Sequence, residues 1–368
     1  MKRSPVCGSK IKRMSYNFAN ILIIKPSAIG DIVMSLPALA ALRKGFPDAK
    51  IAWLVRSEYA PLLRNHPDLN EIILFDRTHL AKWWRSPQSF KALVVLLGQL
   101  RGEHFDAVID LQGLLRSGWF GWISGAKHRF GMKGAREGAS LFYNHKIKHD
   151  LSCVHVVDFY LKVVESVTGQ RVAAEFAVPH DEYAETSLRR RLGESRVTDN
   201  NYIVMIPAAS NHPKCWPAKN FAALAEKFRL QSDAAIIMVG SGGDQQCTAA
   251  VQAATAVPLI DFAGRTTIPE LIALLRNARV VVSNDTGPGQ IAAGLGVPLV
   301  ILFGPTNPLR LCPYSRPETV VTADPDFSPL DIYDSDPKHA ITRISVDEVY
   351  KKVIEQMRIE SCKSSSCH

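Results

Sequence analysis

Short apolar runs punctuate the chain, and segments with helical spacing fill the stretches between them. Ile21-Leu22-Ile23-Ile24 opens the series; a loop and then a helix from about Asp31 to Lys44 follow, and Pro47 closes that segment. Lys50 to Val55, Ile72 to Phe75 and Ala107 to Asp110 are further short apolar runs. The same alternation restarts at Tyr202 to Ile206 and continues through Ala235 to Val239, Val280 to Ser283 and Leu299 to Phe303. Strands that are apolar throughout are covered on both faces, so the pattern predicts an α/β chain with two parallel sheets and crossover helices. Between the halves the sequence turns polar, with Asp181, Glu182, Glu185 and Arg189 to Arg191 leading to Asp199-Asn200-Asn201. That stretch, 181–201, is the expected interdomain connection, with room for a helix. The domains are then 20–180 and 202–345, with a helix at 346–358, a mobile basic arm at 1–19 and a disordered Ser-rich tail at 359–368. Two such sheets facing each other across a cleft place every loop after a strand near the ligand.

Composition narrows this picture. Of 368 residues, 46% are hydrophobic and 21% charged, which excludes a disordered or fibrous chain. Leu93 to Leu97, among the longest apolar runs, falls far short of the ~20 residues a membrane-spanning helix needs. Ser15-Tyr16-Asn17 interrupts any signal-peptide core, so a cytoplasmic location is expected. Seven cysteines without a CxxC pair suit free thiols in a reducing compartment. Cys362, Cys367 and His368 are read as a solvated end rather than a metal site.

The net charge of +9 is unevenly placed. Lys2, Arg3, Lys10, Lys12 and Arg13 sit in the N-terminal arm. From Lys127 to His149 the cations Lys127, Arg129, Lys133, Arg136, Lys146 and Lys148 face Glu137 alone. Such clusters attract phosphates. No nucleic-acid module accompanies them, so an anionic membrane surface or a phosphorylated acceptor is the expected partner, not nucleic acid.

Four loops carry candidate chemistry. Lys25-Pro26-Ser27-Ala28-Ile29-Gly30-Asp31 follows the first strand and lacks the dinucleotide fingerprint. Asp31 either satisfies free amides at the helix start or points into the cleft as a general base, and the loop alone leaves both readings open. In the loop from Pro207 to Pro217, Ser210 and backbone amides would donate to a diphosphate and Lys214 would add positive charge; the plain alternative is a surface loop. After the strand at Ala235 to Val239, Asp244 is placed for ribose hydroxyls or for capping the next helix. Asp285-Thr286-Gly287 leads into a helix whose N-terminus presents unpaired amides and about half a positive charge. Asp285 would repel a pyrophosphate, so sugar hydroxyls or the turn itself are its tasks. No metal-ligand cluster stands out.

Taken in order, the landmarks resemble those of the bacterial lipopolysaccharide heptosyltransferases, glycosyltransferase family 9. They are KPSAIGD with LPAL in the following helix, DLQGLLRSG at 110–118, FGMKGAREGASLFYN at 130–144, PKCWP at 213–217, SNDTG at 283–287 and FGPT at 303–306. The resemblance covers residues 20–358 and looks strongest to the heptosyltransferase I group. It implies a GT-B fold, two Rossmann-like domains facing each other across a cleft, with the acceptor on 20–180, the nucleotide-sugar on 202–345, and the 346–358 helix packing back toward the first domain. It implies inverting transfer of L-glycero-D-manno-heptose from ADP-heptose to Kdo of the lipid A inner core, with no cofactor or metal required. The enzyme would be cytoplasmic and peripheral to the inner membrane leaflet.

By this resemblance Asp31 is the catalytic base, Ser210 and Lys214 bind the diphosphate, Asp244 the ribose, and Asp285, Thr286, Gly287 and Gln290 the donor. Lys127, Arg129, Lys133 and Arg136 would face the acceptor. Two departures matter: Gln290 stands where a histidine is common, and Ala209 stands where a hydroxyl can occur. They leave the donor sugar open. Heptosyltransferase II or a later core enzyme, a GT-B nucleotide-sugar epimerase and a non-catalytic sugar-nucleotide binder are the alternatives.

Overall fold

The computed structural model describes residues 16–80, 84–197 and 201–365. The cations of the N-terminal arm from Lys2 to Arg13, and the chain end with Cys367 and His368, lie outside the described residues. The first unit contains β1 (Asn20–Ile24), α1 (Ile29–Gly45), β2 (Lys50–Arg56), β3 (Glu71–Phe75), α2 (Arg77–Leu80), α3 (Pro87–Gly102), β4 (Ala107–Asp110), α4 (Leu115–Ile123), β5 (His128–Met132), β6 (His145–Ile147) and α5 (Val156–Thr168). The second begins with α6 (Glu182–Glu194), β7 (Tyr202–Ile206), α7 (Ala218–Gln231), β8 (Ala235–Met238), α8 (Gln245–Ala253) and β9 (Ile260–Asp261). It continues through α9 (Ile268–Arg276), β10 (Val280–Asn284), α10 (Gly287–Leu295), β11 (Leu299–Phe303), α11 (Pro308–Leu311), β12 (Val320–Thr322) and α12 (Val346–Ser365).

Both sheets are parallel and repeat one strand order, β3-β2-β1-β4-β5-β6 and β12-β11-β10-β7-β8-β9. The expected α/β architecture of two Rossmann-like sheets is present. Ile21 to Ile24 pair with Ile51 to Leu54 on one side and Ala107 to Asp110 on the other, which explains why these four positions are apolar. The order in which strands are added reverses between β1 and β4 in the first sheet and between β7 and β10 in the second. In open α/β sheets a ligand crevice forms outside the carboxyl ends of strands at such a switch point.

The units meet through α1 and α10. A Cβ on Gly287 would come 2.8 Å from Cβ of Ile29, and one on Gly30 would come 3.2 Å from Cγ of Gln290. Glycine at these positions serves the approach of the two helix starts. One continuous cluster of buried side chains runs from β1 and α1 into β7, β10 and α10.

The C-terminal helix departs from the expected arrangement. α12 packs on α7 and on β10, β11 and β12, with Val349 and Val353 buried beside Trp216 and Phe221. Among the described residues its main packing is therefore on its own sheet, not on the first unit. Helix also persists to Ser365, through part of the stretch expected to be disordered. Good helix formers from Glu355 to Glu360 extend it past the point where its apolar spacing ends. The helix inside the connection, α6, docks against α9 and so belongs with the second unit.

Candidate active site

Asp31 sits in the first turn of α1, where its Oδ2 accepts a hydrogen bond from the Ala28 amide at 3.3 Å. The two readings of this residue thus coincide: it satisfies a helix-start amide, and its carboxylate, 40% exposed, lines a cavity between the units. Behind it stands Lys25, whose Nζ lies 3.7 Å from Asp31 Oδ2 and donates to the Leu111 carbonyl at 3.3 Å. Burial alone would lower the pKa of this ammonium, but Tyr160, Asp31 and Asp110 outweigh it and hold Lys25 above the usual lysine value. Asp110 is itself buried, with its pKa pushed up by desolvation against the opposing bonds from Tyr143, Ser117 and two loop amides. Its Oδ2 accepts from the Tyr143 hydroxyl at 2.6 Å, and its Oδ1 accepts from the Gln112 and Gly113 amides, fixing the loop after β4.

Across the cavity of about 300 Å³ lie Ser210, Lys214, Asp285, Thr286, Gly287 and Gln290. Lys214 Nζ donates to Asp285 Oδ2 at 2.8 Å. Asp285 thus anchors the lysine. An ammonium has three donors, so Lys214 retains hydrogens for a phosphate oxygen. Thr286 caps α10, accepting from the Gly289 amide at 3.4 Å, and its hydroxyl lies 3.1 Å from that of Ser283. Gln290 is buried and donates through Nε2 to the Leu311 carbonyl at 2.8 Å. Its amide is committed to holding the neighbouring segment.

A second pocket of about 420 Å³ shares Ile29, Ser210, Thr286, Gly287 and Pro288 with the first. Its other walls include Ala208, Gly240, Asp244, Thr267, Ile268 and Leu271. An apolar slot ending in hydroxyls and a carboxylate suits a nucleoside. Asp244 Oδ2 accepts from both the amide and the hydroxyl of Ser241 at 2.7 Å, so it also shapes its own turn.

Comparisons with known proteins give the chain its family. A profile described as "Glycosyltransferase family 9 (heptosyltransferase)" matches residues 94–332. The chain belongs to glycosyltransferase family 9. The "Lipopolysaccharide core heptosyltransferase OpsX" of Haemophilus influenzae is 26% identical to this heptosyltransferase family member over 82% of this chain and 84% of its own. "Lipopolysaccharide heptosyltransferase 1" of Escherichia coli is 27% identical over 82% of this chain and 93% of its own. The solved E. coli heptosyltransferase WaaC with ADP superposes with a TM-score of 0.73 at 23% identity, covering 92% of this chain and 99% of that one. The fold is GT-B.

In this family member the four cations expected at the acceptor are not gathered at Asp31. Lys127 immediately precedes β5 and Lys133 immediately follows it, so they lie at opposite ends of one strand. The Arg129 guanidinium donates to the carbonyls of Phe142 at 2.7 Å and Ala126 at 2.6 Å and so braces local structure. Arg136 is exposed at the start of a 3₁₀ segment, and none of the four lines the cavity that holds Asp31. A different cationic pocket, about 160 Å³, opens at the carboxyl ends of the first sheet, where Arg56, Arg77 and Arg116 meet Phe75, Gln112 and Glu137.

Sequence reading missed these arginines, together with Tyr59 and Lys25. It also left unassigned Asn284, whose Nδ2 donates to the Pro207 carbonyl at 2.7 Å while its Oδ1 accepts from the Trp216 amide at 3.1 Å. That one side chain clamps both ends of the Ser210–Lys214 loop to β10. The signal for it was the polar end of an otherwise apolar strand.

Proposed function

We propose that the protein is an inverting transferase that moves L-glycero-D-manno-heptose from ADP-heptose to Kdo of the lipid A inner core in lipopolysaccharide biosynthesis. The observation that carries this reading is the opposition of Asp31 to Lys214, Ser210 and the start of α10 across one cavity that continues into a nucleoside-sized pocket. The similarity to lipopolysaccharide heptosyltransferases supports the core-heptose assignment. ADP occupies the second unit, with its ribose toward Asp244 and its diphosphate over Ser210, Lys214 and the amides at Thr286 and Gly287. The acceptor lies on the first unit, its anionic groups toward Arg56, Arg77 and Arg116.

Asp31 takes the proton of the acceptor hydroxyl as that oxygen attacks the anomeric carbon, a contribution of about 10²–10⁴-fold. The bond to the β-phosphate oxygen breaks on the opposite face, and the charge arriving on ADP is met by the Lys214 ammonium and the helix-start amides. One displacement inverts the anomeric centre. Lys25 keeps the carboxylate oriented from behind. Because the acceptor is carried by a lipid, the enzyme works at the inner leaflet.

Incubation with ADP-heptose and Kdo-lipid A, followed by mass spectrometry, tests this. One added heptose on the Kdo acceptor is the expected product. Transfer only to an acceptor that already bears heptose would move the enzyme to a later step, and donor turnover without any acceptor would replace the reading with epimerase chemistry.

A further inference from the structure

We infer that the outer face of α3, together with the end of α4, is the surface by which the enzyme docks onto an anionic lipid bilayer. This deepens the proposed function and rests on it, since that reading puts the acceptor in a membrane. A surface helix ordinarily turns polar residues to solvent. α3 turns out Phe90, Val94 and Val95, which are 52%, 50% and 60% exposed. From α4, Trp122 is 53% exposed, and Trp122 and Val94 line a groove of about 660 Å³ with Leu97, Arg101 and Arg129. Trp84, 62% exposed just before α3, has the Arg85 guanidinium 5.9 Å from its ring centre. Among the described residues no helix is long and apolar enough to cross a membrane, so contact at the surface is the mode this face permits.

Charge chooses the occupant. No Asp or Glu occurs from Arg77 to Gly102 or from Leu111 to Arg136, two stretches of 26 residues that each carry five Lys or Arg. These stretches contain α3 and α4 with their flanks. Aromatic rings with one wet edge settle at the headgroup level, and surrounding cations are drawn to anionic lipid. A second copy of the chain on this face would oppose like charge to like charge. The placement also serves the reaction. Leu114, Arg116 and Ser117 at one end of α4 line the cationic pocket, while Trp122 and Ile123 at the other end line the groove. The nine-residue helix spans roughly 13 Å. A headgroup held in the bilayer plane is thereby within one short helix of the pocket.

The test is co-sedimentation of the full chain with phosphatidylglycerol vesicles and with phosphatidylcholine vesicles, for the wild type and for the Val94→Asp/Val95→Asp double variant. Wild-type protein is expected to bind the anionic vesicles at least tenfold more strongly, and the double variant to lose at least tenfold of that binding. Turnover on a deacylated, water-soluble acceptor and the melting temperature should stay at the wild-type level. Brominated phosphatidylglycerol should quench tryptophan emission, and Trp122→Phe should remove part of that quenching in a chain that keeps an aromatic at the site. Equal binding by the double variant, absence of wild-type binding, or quenching indifferent to Trp122→Phe would each overturn the inference. Wild-type protein that binds vesicles yet transfers nothing to the soluble acceptor would strike the proposed function and leave the docking face standing.

Discussion

Asp31 is the residue on which the chemistry turns, and its surroundings fit a base held in place. The carboxylate has the Ala28 amide on one side and the Lys25 ammonium behind it, and it remains open to the cavity. Asp31→Asn keeps the shape and removes the proton acceptor. Turnover should fall by about 10²–10⁴-fold, while ADP affinity stays within a few-fold, because no donor group has been touched. Calorimetric titration with ADP beside initial-rate measurement separates the two, and unchanged turnover would remove the assignment. Asn284 gives a contrasting case. Asn284→Ala leaves the Pro207 carbonyl and the Trp216 amide without their partner, at about 1–3 kcal/mol for each group left unpaired. The loop bearing Ser210 and Lys214 then loosens, so the donor KM should rise more than kcat falls; a variant with a wild-type donor KM would show that the clamp does not matter. Asp31 was legible because it follows the first apolar strand in a short loop. Lys25 and Asn284 were less so, since their partners lie as far as 86 and 77 residues away in sequence.

At the scale of elements, the alternation of apolar runs and helices located most of both sheets, because strands buried on two faces leave little room for polar positions. β5, β6, β9 and β12 escaped it: His128 to Met132, His145-Lys146-Ile147 and Ile260-Asp261 have polar members, and β6, β9 and β12 are edge strands of three residues or fewer. The course of α12 escaped as well, since an amphipathic spacing tells that a helix has an apolar side and not which sheet that side covers. The meeting of α1 and α10 is the contact with most direct bearing on activity, because it sets Asp31 against the start of α10. Gly287→Ala puts a methyl group where Ile29 stands, 2.8 Å away. Overpacking of this kind costs about 1–3 kcal/mol, and here the strain is relieved by moving the base relative to the diphosphate site. The variant should therefore lose kcat by a larger factor than its lowered melting temperature explains, since small misplacements weigh heavily on rate. Calorimetry together with kcat measured well below the melting range checks this. A loss of stability with an unchanged kcat would mean that α1 and α10 do not set the catalytic distance.

The whole molecule has a second seam, between α5 and the segment after α11. His155 caps α5 through Nδ1, which accepts from the Val157 amide at 3.2 Å, and its Nε2 donates to the Cys312 carbonyl of the second unit at 2.8 Å. Beside it the Tyr314 hydroxyl donates to Asp158 Oδ1 at 2.7 Å, and the His155 and Tyr314 rings meet edge to face at 5.1 Å. Only a neutral imidazole makes both histidine bonds, because protonation turns Nδ1 into a donor facing an amide. Burial accordingly pushes the His155 pKa below its ordinary value, against a smaller upward pull from the Cys312 carbonyl and Asp158. His66, His145 and His149 are displaced in the same direction, chiefly by desolvation. A histidine whose folded pKa is depressed binds fewer protons folded than unfolded, so stability rises with pH across its titration. The contribution is complete above the unfolded value of about 6.5 and is lost as pH falls through the folded value. Urea midpoints measured from pH 8 down to pH 5 should therefore decline on the acid side, and His155→Asn, which keeps a capping oxygen for α5, should show a shallower decline than the wild type. Tyr314→Phe breaks the neighbouring bond to a carboxylate, worth about 1.5–3 kcal/mol, and should lower the midpoint at every pH while leaving the acid slope in place. An acid slope equal in His155→Asn and wild type would assign the loss to the other histidines and leave this seam without a part in it.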